Sequence, residues 1–150
     1  MNNTRKLIAI ALSFGSFLSL LPVSAQAHHS FAMYDRNITK TFTGRLIRFI
    51  PGANHAQLIF ELIDENAELQ LDEAGKAIAW GIETGPSAAI ARQGVTVKAY
   101  PEGTIMTVTL NPLRDGRTFG ILNGPLINCG TTLPEGGCTE ATGTVHMKQN

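Results

Sequence analysis

The sequence predicts an all-β domain: a small, partly open barrel of the OB kind with five strands, one short helix and a disulfide-stapled C-terminal extension. Three observations predict it. Five apolar segments alternate with period two between turns rich in Gly, Pro and Asp; one helix-sized segment separates the third from the fourth; and the only two cysteines stand close together behind the fifth. A β-sandwich is the alternative, because alternation does not count sheets.

Residues 38–50 are rich in Thr, Ile and Phe, with Phe42 and Leu46 on one parity and Ile47 and Phe49 on the other. The change of face predicts a long strand bent at Gly44 or at a bulge. Pro51-Gly52-Ala53-Asn54 is a turn, after which Leu58, Phe60 and Leu62 alternate with Gln57 and Glu61 as a half-buried partner. Residues 64–76 are acidic and carry a D-E-A-G turn, and Ile78, Trp80 and Ile82 then mark a third strand. Pro86 and Gly94 bracket the helix, proline suiting a first turn and glycine a stop. Met106, Val108 and Leu110 form the inward side of a fourth strand, Asp115-Gly116 turns the chain, and Phe119-Gly120-Ile121-Leu122 returns as a fifth. From Pro125 the chain reads as a stapled extension, its end frayed after Val145.

The first 27 residues read as an export signal: Arg5-Lys6, an apolar stretch from Leu7 to Leu21, and the small-x-small site Ala25-Gln26-Ala27. The apolar run is short of the ~20 residues a membrane span needs. Of 150 residues, 123 are then left, 28–150, as one periplasmic or secreted domain with no membrane insertion after processing. Loss of Arg5 and Lys6 from 12 basic and 12 acidic residues leaves 10 against 12, a net charge of −2. Nucleic acid and anionic membrane are poor partners for such a chain. Cys129 and Cys138, an even pair in an exported chain with three glycines between them, are expected as one disulfide.

Three pieces occur in a familiar order. They are Ala27-His28-His29-Ser30-Phe31 with Tyr34-Asp35, the hairpin from Phe42-Thr43-Gly44 to Asn54-His55, and Trp80-x-Ile82-Glu83-x-Gly85 leading to Asn111-Pro112-Leu113-Arg114-Asp115-Gly116. Over about residues 27–122 the chain resembles an uncharacterised family of exported bacterial domains with a processed A-H-H-S-F start and an N-P-H hairpin motif. It departs from that pattern at Ala53-Asn54-His55, where the proline is missing and the imidazole stays, and in its cysteine-bearing tail. The resemblance implies export and a compact β-fold, and no reaction.

Cleavage after Ala27 would make His28 the first residue, offering an amine and an imidazole to one metal. An imidazole from His55 completes a three-nitrogen set suited to copper. His29 is the weaker third candidate, since neighbouring side chains of an extended segment point to opposite faces. Cleavage after Ala25 would put histidine third, a square-planar Cu(II) site that does not need His55. Met33, His146 and Met147 are possible soft or imidazole additions, and Asp35 a possible orienting acceptor. The ordinary alternative is a solvated His28-His29 start and a loop His55 bonded to backbone. Trp80 and Glu83 are the candidates for binding an organic ligand, though Trp80 shares the parity of the core. No nucleophile elbow, phosphate loop or carboxylate-pair motif is present.

These residues support an exported binding protein without catalysis, holding copper through a mature N-terminal histidine. The alternative is a metal-free domain for a small ligand or a protein, and a copper-dependent oxidase ranks third because 123 residues leave little room for a substrate platform.

Overall fold

The computed structural model describes residues 31–147, so the signal segment, His28 and His29 lie outside the described residues. After a one-turn 3-10 helix, Phe31–Met33, come β1 (Lys40–Ile50), β2 (Gln57–Leu62), β3 (Ala79–Glu83), α1 (Ser87–Ala91), β4 (Ile105–Pro112), β5 (Phe119–Asn128) and β6 (Thr144–His146). Neighbours in the sheet run β3-β2-β1-β4-β5-β6, and a further pairing of β3 with β5 closes the first five strands into a barrel. This is the expected OB-like order with the helix between β3 and β4. One continuous sheet replaces the two layers of a sandwich.

The seam that closes the barrel is parallel and three residues long: Gly81, Ile82 and Glu83 lie opposite Phe119, Gly120 and Ile121. A Cβ at Gly81 would run into the Phe119 ring, so the absent side chain is what lets that ring lie across β3. Period-two alternation fills the interior. Leu58 and Phe60 of β2, Ile82 of β3, Met106, Val108 and Leu110 of β4, and Leu126 of β5 are all fully buried there.

β1 does not bend at Gly44. That residue pairs regularly with Leu62 on one side and Met106 on the other, and the register slips between Leu46 and Arg48, placing the bulge at Ile47. Gly44 has another role: a Cβ there would lie 2.5 Å from Phe60 Cδ2 and 2.6 Å from the Glu61 carbonyl oxygen. The change of face on β1 therefore comes from an inserted residue, and the glycine from close strand approach.

Pro125 does not begin the tail either. β5 continues to Asn128, with Val108 facing Leu126 and Leu110 facing Leu122, so residues 123–125 hold the irregularity of the ladder. A proline is tolerated there because that stretch has no regular ladder bond to lose. Among the described residues the chain is not frayed just after Val145. β6 pairs Thr144, Val145 and His146 with Asn128, Ile127 and Leu126, the His146 ring meets Tyr100 edge-on at 5.6 Å, and Met147 packs on the core.

The Cys129–Cys138 disulfide is formed, with Cα atoms 5.8 Å apart. It anchors a second apolar cluster of Ile63, Ile105, Ile127 and Cys138, into which Thr107 Oγ1 donates a 2.7 Å hydrogen bond to the Cys138 carbonyl. The extension thus covers the outer side of β4.

Gly44→Val should lower stability by about 1 to 3 kcal/mol, because the added carbons meet β2 and the strand has no room to yield. A melting temperature equal to wild type would show that β1 and β2 can separate locally. Replacing both cysteines by serine should cost about 3 kcal/mol at most, since the loop closed is short, and the loss should fall on the extension. Hydrogen exchange of β2 and β3 amides is the check; it should stay slow while that of β6 quickens.

Candidate functional site

Four segments gather around Glu83 beside the β3–β5 seam: the β1–β2 loop (51–56), the end of β3, the β4–β5 loop (113–118) and the segment that precedes β1. That last segment is strapped down. Tyr34 forms an antiparallel bridge with Leu113, Asp35 N–H donates to the Pro112 carbonyl at 2.8 Å, and Arg114 N–H donates to the Met33 carbonyl at 2.9 Å. The Arg114 side chain adds a bond from Nε to the Ala32 carbonyl and a 3.7 Å ion pair with Asp35. The residues around the β4–β5 turn therefore hold the start of the domain against the barrel. Asp35 serves this strap and accepts from Asn37 N–H as a turn residue.

The β1–β2 loop is stitched to the β3–α1 connection. Gly52 N–H donates to Ser87 Oγ, Ser87 N–H to the Gly52 carbonyl, Ala56 N–H to the Gly85 carbonyl and Thr84 N–H to the Ala56 carbonyl. These bonds fix His55 over the end of β3. Its Nδ1 stands 3.2 Å from the Thr84 carbonyl oxygen and 3.2 Å from Glu83 Oε1. Both neighbours are acceptors, so the neutral ring carries its proton on Nδ1 and leaves the Nε2 lone pair for another partner.

Glu83 ends β3 with its side chain only 17% exposed. Its second oxygen, Oε2, accepts a 3.3 Å hydrogen bond from Tyr34 Oη. One carboxylate thus joins the strapped segment to the β1–β2 loop. Tyr34 is 2% exposed, and burial, with the charge of Glu83 and its hydrogen bond, pushes the phenol up to about 12, Arg117 opposing them. On the neighbouring loop, Asp115 accepts from Arg117 N–H and, at 2.8 Å, from Arg117 Nε, contacts that hold its exposed carboxyl below the usual range.

Beside Glu83 the barrel end opens into a cleft of about 770 Å³, its walls including Met33, Tyr34, Gln57, Glu83, Arg117 and Phe119. Of the residues singled out in the sequence, the structure brings His55 and Glu83 together and puts Met33 on the wall of the same cleft. Trp80 is elsewhere in the packing. Its ring is 8% exposed, lies 4.6 Å from that of Phe42 and carries Lys40 Nζ at 5.3 Å over its face, the core placement its parity implied. His146 Nδ1 lies 2.8 Å from the Gln93 carbonyl oxygen and its ring packs on Tyr100, and Met147 packs on the core. Among the described residues no group of three or more His, Cys, Asp or Glu side chains is gathered as for a metal ion. Any copper set would need His28, which lies outside them. Tyr34 escaped sequence reasoning because a lone tyrosine before the first strand carries no periodic signal.

The fold and its end cluster define the class: a closed, five-stranded OB-like barrel with a disulfide-bonded extension and a carboxylate-centred polar site at one end. The chain belongs to the Family of unknown function (DUF6152), whose model matches residues 17–123. The match spans the barrel up to the middle of β5 and stops short of the disulfide. No curated protein and no solved structure matches the chain.

Burial raises the Tyr34 phenol from 10.0 to about 12, so the stabilisation it brings is complete below pH 10 and is lost as pH rises through 12. Tyr100, the second of the two tyrosines, is raised as well, by burial alone. A spectrophotometric titration should therefore show no phenolate at pH 10.0, where free tyrosine is half ionised. Phenolate appearing there in the folded protein would show that the Tyr34 hydroxyl reaches water.

Proposed function

We propose that this protein is an exported, non-catalytic binding module, and that copper is held at the strapped end of the barrel by the amine and imidazole of a mature N-terminal His28 together with His55 Nε2. The observation that carries the reading is the state of His55. A ligand imidazole is commonly oriented by a carboxylate or carbonyl on its other nitrogen, and Glu83 and Thr84 supply both to Nδ1. The strap supports it too: His28 lies three positions before the 3-10 turn, a reach of up to ~10 Å from Phe31, and Tyr34 already shares Glu83 with His55. His29 is not a ligand in this reading.

The test is titration calorimetry with Cu(II) on protein beginning at His28. Acetylating the amine or changing His55→Ala should each weaken binding at least about tenfold, Glu83→Gln by a similar factor through the loss of orientation, and His29→Ala much less. Affinity should fall below about pH 7, because amine and imidazoles bind only when deprotonated. Wild-type protein that binds Cu(II) no better than the His28→Ala variant would overturn the copper reading. A silent His55→Ala beside a damaging His28→Ala would move the site to the square-planar start produced by cleavage after Ala25.

The metal-free reading is favoured by a different observation: Glu83 lines an open cleft, although Trp80 does not share it.

A further inference from the structure

We propose that the cleft beside Glu83 binds a free α-amino acid with an apolar side chain, its ammonium on the Glu83 carboxylate and its carboxylate on Arg117. The proposal deepens the metal-free reading of this end of the barrel and requires no copper.

The cleft carries a largely buried carboxylate, an exposed guanidinium and apolar side chains in its walls. Glu83 is largely buried, its Oε2 accepting a hydrogen bond from Tyr34 Oη and its Oε1 lying 3.2 Å from His55 Nδ1. A carboxylate has about four lone-pair sites, so some are left for a ligand. Tyr34 and His55 hold the carboxylate in one orientation, and Tyr34, whose ionisation burial opposes, gives it a hydrogen bond and no charge. A partly buried anion held in this way favours a donor that brings a positive charge.

At the rim the sign changes. Arg117 is 71% exposed, and Asp115 takes its Nε edge at 2.8 Å, which leaves the Nη edge without a partner among the described residues. Arg117 is close enough to the Tyr34 hydroxyl to act on its ionisation against Glu83, which places the two charges on one cleft. A guanidinium edge presented this way matches a carboxylate bidentately. The apolar walls are Met33, Leu113 and the half-buried Phe119 ring, with Gln57 and Thr118 as further polar neighbours. A plain amine would leave the Arg117 edge unanswered, and a plain acid would meet the buried carboxylate of Glu83. A zwitterion with an apolar body answers both ends.

The probe is L-phenylalanine, added to the metal-free protein in the presence of a chelator and followed by amide chemical shifts. Saturable shifts centred on Glu83, Arg117 and Phe119 are expected. Phenethylamine, which lacks the carboxylate, and 3-phenylpropionate, which lacks the ammonium, should each bind about tenfold more weakly or worse. Arg117→Ala, which gives up only an exposed contact with Asp115, should bring L-phenylalanine down to the level of phenethylamine and leave phenethylamine unchanged. Glu83→Gln should weaken both amines. Binding of 3-phenylpropionate as tight as L-phenylalanine, or an Arg117→Ala variant that binds L-phenylalanine like wild type, would overturn the proposal. Cellobiose, a neutral control, separates this from the wider reading: shifts at the same amides with cellobiose and none with L-phenylalanine would defeat the amino-acid assignment and leave a metal-free ligand site standing, whereas silence with both would remove both.

Discussion

The rest of the structure depends on the parallel contact of β3 with β5. It is short, three residue pairs, yet it closes an otherwise antiparallel sheet into a cylinder whose interior is filled mainly by Leu, Ile, Met, Phe and Val. Closure needs the strands to approach where Phe119 crosses β3, and Gly81 is the residue without a side chain at that crossing. With the seam made, the end of β3 and the β4–β5 loop become neighbours. Glu83 and Arg117, which are 34 residues apart in the chain, then border one cleft.

At this end of the barrel a single carboxylate does the joining. Glu83 receives the Tyr34 hydroxyl from the segment before β1 and the His55 ring from the β1–β2 loop, while the backbone around Leu113 and Arg114 holds the first of these segments in place. Each of these groups is satisfied mainly by a group from another segment. The cluster is therefore specified by the closed barrel and would not survive as a local motif. A carboxylate in such a setting is costly to bury unless it is hydrogen-bonded, and the two donors answer that cost while leaving lone pairs for a further cation or donor.

The extension works on the outer surface by the same logic. β4 carries apolar residues on both faces: Met106, Val108 and Leu110 point inward, and Ile105 packs outward with Ile63, Ile127 and Cys138. A barrel strand buried on one side only would alternate with polar residues, and Thr107, between them, is covered as well and bonded to the Cys138 carbonyl. The disulfide holds that cover in place.

The order of strands, the helix between the third and fourth, the inward parity of β2, β3 and β4, and the cysteine pair were legible in the sequence, because each is a local pattern of spacing read along one segment. The face change on β1 was legible too, but its position was not. Ile47 is the inserted residue, and only pairing with β2 shows which residue of a strand has no partner. Likewise Pro125 looked like a strand end until β4 was placed beside it, and β6 is three residues whose pattern is too short to read without Leu126, Ile127 and Asn128 opposite. His55 and Glu83 were each visible as candidates, yet their meeting, and the part Tyr34 takes in it, follow from strand register and from a strap formed by the β4–β5 loop. The sequence by itself determined which faces must be buried and hence an all-β barrel; the tertiary structure alone decided which polar side chains share a site, because hydrogen-bond partners at a barrel end come from segments far apart in the chain and nothing in local periodicity records their approach.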